Sequence, residues 1–101
     1  MIIEYGDSEI EKLCTDERYM RRKREDVAQK LRVRVNAVSL AKDMEDLISL
    51  DQLGRWHRLT GNLDTLWAGK LSKNFRLIIS PVGDNPLKAT IVEIIKIDDY
   101  H

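Results

Sequence analysis

The stretch LWAGKLSKNFRLIISPVGDNPLKATIVEIIKI, residues 66–97, decides the fold. Three runs within it, Leu66 to Leu71, Phe75 to Ser80 and Thr90 to Ile97, are short and rich in β-branched or aromatic residues. Turn-forming segments separate them, Ser72-Lys73-Asn74 and then Pro81 to Pro86. Each neighbouring pair can close as a hairpin, so the second half of the chain is expected to form antiparallel sheet.

Upstream the period changes. Val27, Ala28, Leu31, Val35, Val38 and Ala41 recur at three- and four-residue steps with no Pro or Gly between them, which predicts one long helix from about Thr15 to Lys42. Val33, Ala37, Leu40 and Met44 form a second stripe, suited to packing on the first helix or on a partner. That first helix begins at Asp7 or Ser8, since Ser8 and Glu11 have capping-box spacing, and it carries Ile10, Leu13 and Cys14 on one side. Ile2 to Tyr5 reads as a short strand, and a helical turn over Asp43 to Leu50 is closed near Gly54. Helices first and strands second give an α+β domain spanning 1–101. The expected architecture is two N-terminal helices packed on one face of a three- to four-stranded, mainly antiparallel sheet.

Composition narrows the function. A chain of 101 residues supports a single core. Its 43% hydrophobic and 34% charged content excludes disorder and low-complexity repeats. One cysteine excludes an internal disulfide and a multi-cysteine zinc site, so Cys14 reads as an apolar helix residue in a reducing compartment. No secretory h-region and no apolar run long enough to span a membrane is present, and a cytoplasmic location is expected. Lys and Arg number 17 against 17 Asp and Glu, but the balance is uneven. Residues 21–60 hold 10 basic and 6 acidic side chains, a local excess of four that is modest for an RNA-binding surface.

Four groups of residues can carry chemistry. Arg55-Trp56-His57-Arg58 places an imidazole between two cations, in a loop or at a strand edge, where the neutral ring is favoured and can act as a general base. Arg76 interrupts an apolar run, and alternation puts it with Ile78 on the face opposite Phe75, Leu77 and Ile79. There it can hold a phosphate through its fork of donors, or form a cross-strand bridge to a residue such as Glu93. Asp98-Asp99-Tyr100-His101 follows the last strand and ends in an acid, a phenol and the second of the 2 histidines. Arg18, Arg21, Arg22, Lys23 and Arg24 form a basic run that also fits a solvated helix face. Trp56 and Trp67 can stack on bases, although strand tryptophans are commonly core.

Taken in order, His57-Arg58-Leu59-Thr60-Gly61, Arg76-Leu77-Ile78 and Val92-Glu93-Ile94-Ile95 leading into Asp99-Tyr100-His101 resemble the HigB, or plasmid-maintenance killer protein, branch of the RelE-like toxins. Ile10 to Thr15 and Asp46-Leu47 resemble it as well, so the likeness spans nearly the whole chain. The resemblance implies a ribosome-dependent endoribonuclease that enters the decoding site and cuts messenger RNA, neutralised by a helix-turn-helix, HigA-like antitoxin. The family's catalytic histidine falls on His57, its terminal residues on Asp99, Tyr100 and His101, and its strand arginine on Arg76. The cations expected to meet RNA and ribosome are Arg55, Arg58, Lys70, Lys73, Arg22 and Lys23. No metal or other cofactor is expected. Two other readings stay open: a binding toxin of this fold that poisons DNA gyrase without RNA chemistry, and an inactive module presenting the Val33, Ala37, Leu40 and Met44 stripe to a partner.

Overall fold

The computed structural model describes residues 1–61 and 65–99. Strand β1 (Ile2–Tyr5) leads into helices α1 (Ser8–Thr15), α2 (Glu17–Lys23), α3 (Ala28–Leu40) and α4 (Met44–Leu50). A 3₁₀ turn at Gln52–Gly54 then opens the sheet half, β2 (His57–Arg58), β3 (Trp67–Lys70), β4 (Phe75–Pro81) and β5 (Ile91–Asp99), with a second 3₁₀ turn at Pro86–Lys88. The sheet runs in the order β1-β5-β4-β3-β2. All pairings are antiparallel except that of β1 with β5, which is parallel.

The α+β class and the three long strands agree with expectation, but the details of both layers differ. The sheet has five strands, because β1 docks on β5 at one edge and the two residues of β2 pair with β3 at the other. Among the described residues the helical layer has four α-helices. Aspartates start three of them: Asp7, Asp16 and Asp43 accept from the backbone N–H of Ile10, Tyr19 and Asp46, satisfying donors that the first turn leaves open.

The single helix expected over residues 15–42 is broken between Lys23 and Ala28. Side-chain contacts rather than Pro or Gly break it. The Arg24 guanidinium lies 4.5 Å from the Phe75 ring and donates to Asp26 from Nε and Nη2, each at 3.2 Å. Both contacts are made from a non-helical backbone at Arg24. The first stripe nevertheless faces the core, with Val27, Leu31 and Val38 fully buried. The second splits: Ala37 and Met44 are buried, whereas Val33 and Leu40 are 44% and 68% exposed.

Leu77, Ile79, Val92 and Ile94 pack under the helices. A β-bulge makes this possible. Ile78 pairs with Lys96 and Ile79 with Ile94, so Ile95 is the extra residue. Without it, alternation from Ile94 would turn Lys96 and Asp98 toward the core; with it, Ile97 faces inward beside Leu77 and those two charges face the opposite side.

Candidate active site

A buried polar network fixes the approach to His57. Arg34 of α3 and Asp51 are 3% and 9% exposed, and Arg34 Nη1 donates to Asp51 Oδ1 at 3.1 Å. Asp51 Oδ2 accepts from the Trp56 indole at 3.0 Å, and Arg34 Nε donates to the Lys70 carbonyl at 2.7 Å. The Trp56 ring lies against Gly69 in β3, where an added Cβ would fall 2.5 Å from it. Trp56 is therefore a core residue rather than a base-stacking platform. With Trp56 drawn inward, alternation sends His57 to the exposed face.

The histidine's protonation follows from its partner. His57 Nδ1 lies 3.0 Å from the Arg55 carbonyl, and a carbonyl can only accept. Nδ1 thus carries the hydrogen, and in the neutral ring Nε2 keeps its lone pair for an incoming proton. Arg55 aims that carbonyl from a left-handed backbone, φ 47°, the only non-Gly positive φ among the described residues. Such a conformation costs of order 1–3 kcal/mol and is held by its surroundings.

Strand register assembles the remainder. His57 pairs with Ala68, Ala68 with Ile78 and Ile78 with Lys96; the adjacent row is Lys70, Arg76, Asp98. All share the face turned away from the helices. From His57 to Arg76 is two strands across and two residues along, roughly 12 Å between Cα atoms at ordinary sheet spacing. Side chains of these lengths leave room for one phosphodiester between them. Arg76 Nη1 donates to the Ser72 and Phe75 carbonyls at 2.6 and 3.0 Å, tying the guanidinium to the β3–β4 turn. Glu93 is not a cross-strand partner for Arg76, since it pairs with Ser80; the acid that the register puts across from Arg76 is Asp98.

The other expected residues are placed as follows. Asp99 pairs with Phe75, so its strand position belongs to the helix side, and Asp98 is the carboxylate across from Arg76. Asp98 also lies 3.9 Å from Lys96 Nζ. Tyr100 and His101 lie outside the described residues. Arg58 is exposed on β2 opposite Trp67, and Lys73 is exposed in the turn after β3. Arg22 and Lys23 flank the Tyr19 ring at 5.7 and 5.8 Å on α2. Trp67 is buried, with its indole nitrogen unpartnered among the described residues, a core placement. Cys14 is buried, and desolvation pushes its thiol up to about 12, which makes it inert at neutral pH. No group of metal-ligating side chains occurs among the described residues.

Sequence reasoning passes over Arg34 and Lys96, and names Asp98 without giving it a role. For Arg34 a signal existed, because it lies between Leu31 and Val38 on an apolar helix face, where a charge marks a buried ion pair. For Lys96 and Asp98 none did, since the bulge alone decides their side.

Comparison with known proteins agrees with this architecture. Solved structures of similar fold include a YoeB/ParE toxin from Agrobacterium tumefaciens, at 16% identity and TM-score 0.56, with 100% of both chains covered. A chain of a YoeB–YefM complex from Staphylococcus aureus shares 17% identity at TM-score 0.60, over 100% of this chain and 97% of that one. YafQ from Escherichia coli strain BL21(DE3) shares 13% at 0.61, covering 96% and 90%. No curated protein matches significantly. A family model matches residues 3–94, nearly the whole domain, and by that match the chain belongs to the HigB-like toxins, RelE-like toxins of type II toxin–antitoxin systems.

Proposed function

We propose that this toxin is an endoribonuclease that cuts messenger RNA on the ribosome at the sheet face turned away from its helices. The observation that carries the reading is the pairing on one face of His57, its Nε2 left as acceptor by the Arg55 carbonyl, with Arg76, held by the β3–β4 turn.

In the proposed reaction His57 or His101 takes the proton of a ribose 2′-hydroxyl. O2′ forms a bond to the adjacent phosphorus while the bond from phosphorus to O5′ breaks. The other imidazole, or Tyr100, protonates O5′, giving a 2′,3′-cyclic phosphate and a 5′-hydroxyl end. Arg76 offsets the charge on the phosphorane-like transition state, and Asp99 anchors the tail. General acid–base groups of this kind are each worth about 10² to 10⁴ in rate. Arg55, Arg58, Lys70 and Lys73 supply contacts to RNA and ribosome close to the site, with Arg22 and Lys23 reaching from α2. The chemistry uses no metal.

A toxin of this family has an antitoxin partner; for this chain we propose one of the helix-turn-helix, HigA-like kind. Cytoplasmic action follows from a ribosomal target. Among the described residues no helix is long and apolar enough to cross a membrane.

The test is expression of the toxin followed by primer extension on translated and untranslated copies of one transcript. Cuts confined to the translated copy support the proposal. DNA breaks without RNA cuts would favour a gyrase poison, and neither would favour a binding module.

A further inference from the structure

We infer that the toxin carries a second anion site beside the active face, built to hold a backbone phosphate of the RNA strand next to the one being cut. The inference takes its ligand from the RNA-cleaving reading above. It starts from a cleft of about 270 Å³ between α3, the 3₁₀ turn and the end of β3, whose lining includes Lys30, Arg34, Leu53, Arg55, Lys70 and Ser72.

Four of its seven lining residues are cationic in a protein whose formal net charge is zero. Lys30, Arg55 and Lys70 pair with no carboxylate among the described residues, so their charges add within the cleft. Arg34 is fixed in place, 3% exposed, with Nε and Nη1 engaged by the Lys70 carbonyl and Asp51. Nη2 has no partner among the described residues and is the donor left to the cleft. A rigid buried guanidinium with one open nitrogen, ringed by three unneutralised cations, is complementary to a phosphate.

The cleft is also wired to the candidate active site. Arg55 lines it and gives His57 its Nδ1 acceptor. Lys70 lines it and is the ladder neighbour of Arg76. Ser72 lines it and accepts from Arg76 Nη1. Its volume admits a phosphate with part of its sugar.

The experiment removes Lys30, which is exposed on α3 and outside the proposed catalytic set. Wild type, Lys30→Gln, Lys30→Glu and the control Lys42→Gln, near the other end of α3, are titrated with a non-cleavable 2′-O-methyl RNA and with ribosomes, over a range of salt. Losing one phosphate contact lowers the slope of log affinity against log salt by about 0.7 for a single strand. At 0.1 M salt that is about a fivefold loss of affinity. The expectation is this loss in Lys30→Gln, a larger one in Lys30→Glu, and neither in Lys42→Gln, with thermal melts unchanged. A Lys30→Glu slope equal to wild type overturns the site, as does absence of salt-dependent binding to both RNA and ribosomes. Ribosomes with and without messenger assign the phosphate to messenger or ribosomal RNA. If the slope changes but no variant or wild type cuts RNA, the cleft stands and the nuclease reading falls.

Discussion

Replacing Asp51 with Ala tests how the active face is held. Its carboxylate accepts from Arg34 Nη1 at 3.1 Å and from Trp56 Nε1 at 3.0 Å, and the Arg34 and Asp51 side chains are 4% and 9% exposed. Removing it strands a buried guanidinium and a buried indole N–H together. Breaking one side of a buried ion pair costs about 3–5 kcal/mol, a large share of the 5–15 kcal/mol that holds a typical domain. In urea, at a slope of about 1.5 kcal/mol per M, the unfolding midpoint should fall by roughly 2–3 M, followed by the fluorescence of Trp56 and Trp67. Arg34→Met should cost a similar amount. The double variant should cost clearly less than the sum, because no lone charge is left inside. A loss below about 1 kcal/mol for Asp51→Ala, or strict additivity, would refute the claim that this pair pins Trp56 and thereby aims His57.

Three further outcomes follow from the same geometry. Gly69→Ala places a Cβ 2.5 Å from the Trp56 ring, and displacing that ring should cost about 1–3 kcal/mol in a thermal melt and reduce cleavage with it. The Cys14 thiol, raised by burial from an ordinary 9.0 to about 12, favours the folded state as the neutral form; stability should be level below pH 9 and decline between about pH 9 and 12. A Cys14→Ala variant checked by urea melts across that range should show a shallower decline, the remainder coming from Tyr5, Tyr19 and Lys88, whose pKa values are also raised. Arg76→Ala should lower single-turnover cleavage about 10²–10³-fold, with Arg76→Lys recovering only part, since an ammonium lacks the fork that the Ser72 and Phe75 carbonyls hold.

Local physics made most of the fold legible. The strands from Trp67, Phe75 and Ile91 onward were marked by β-branched runs between turn residues, and the α3 stripe by its period. Arg76 on the open face came from alternation alone. What escaped depended on contacts distant in sequence. The break before α3 needs Phe75 beneath Arg24, and the parallel docking of β1 needs β5. The turn of Lys96 and Asp98 to the outer face needs a bulge at Ile95 that no residue type announces. The placing of Asp98, rather than Asp99, on the face of Arg76 has the same origin, because one inserted residue shifts every later side chain of β5 to the other face.

The account stands most directly on His57 as a proton-transfer group on ribosome-bound messenger. Single-turnover cleavage of one messenger on programmed ribosomes, with wild type and His57→Ala compared at equal occupancy, measures it. The predicted result is a discrete cut by wild type that the variant makes at least about 10²-fold more slowly. Equal rates for the two proteins, or no cut by wild type at saturating toxin, would contradict it.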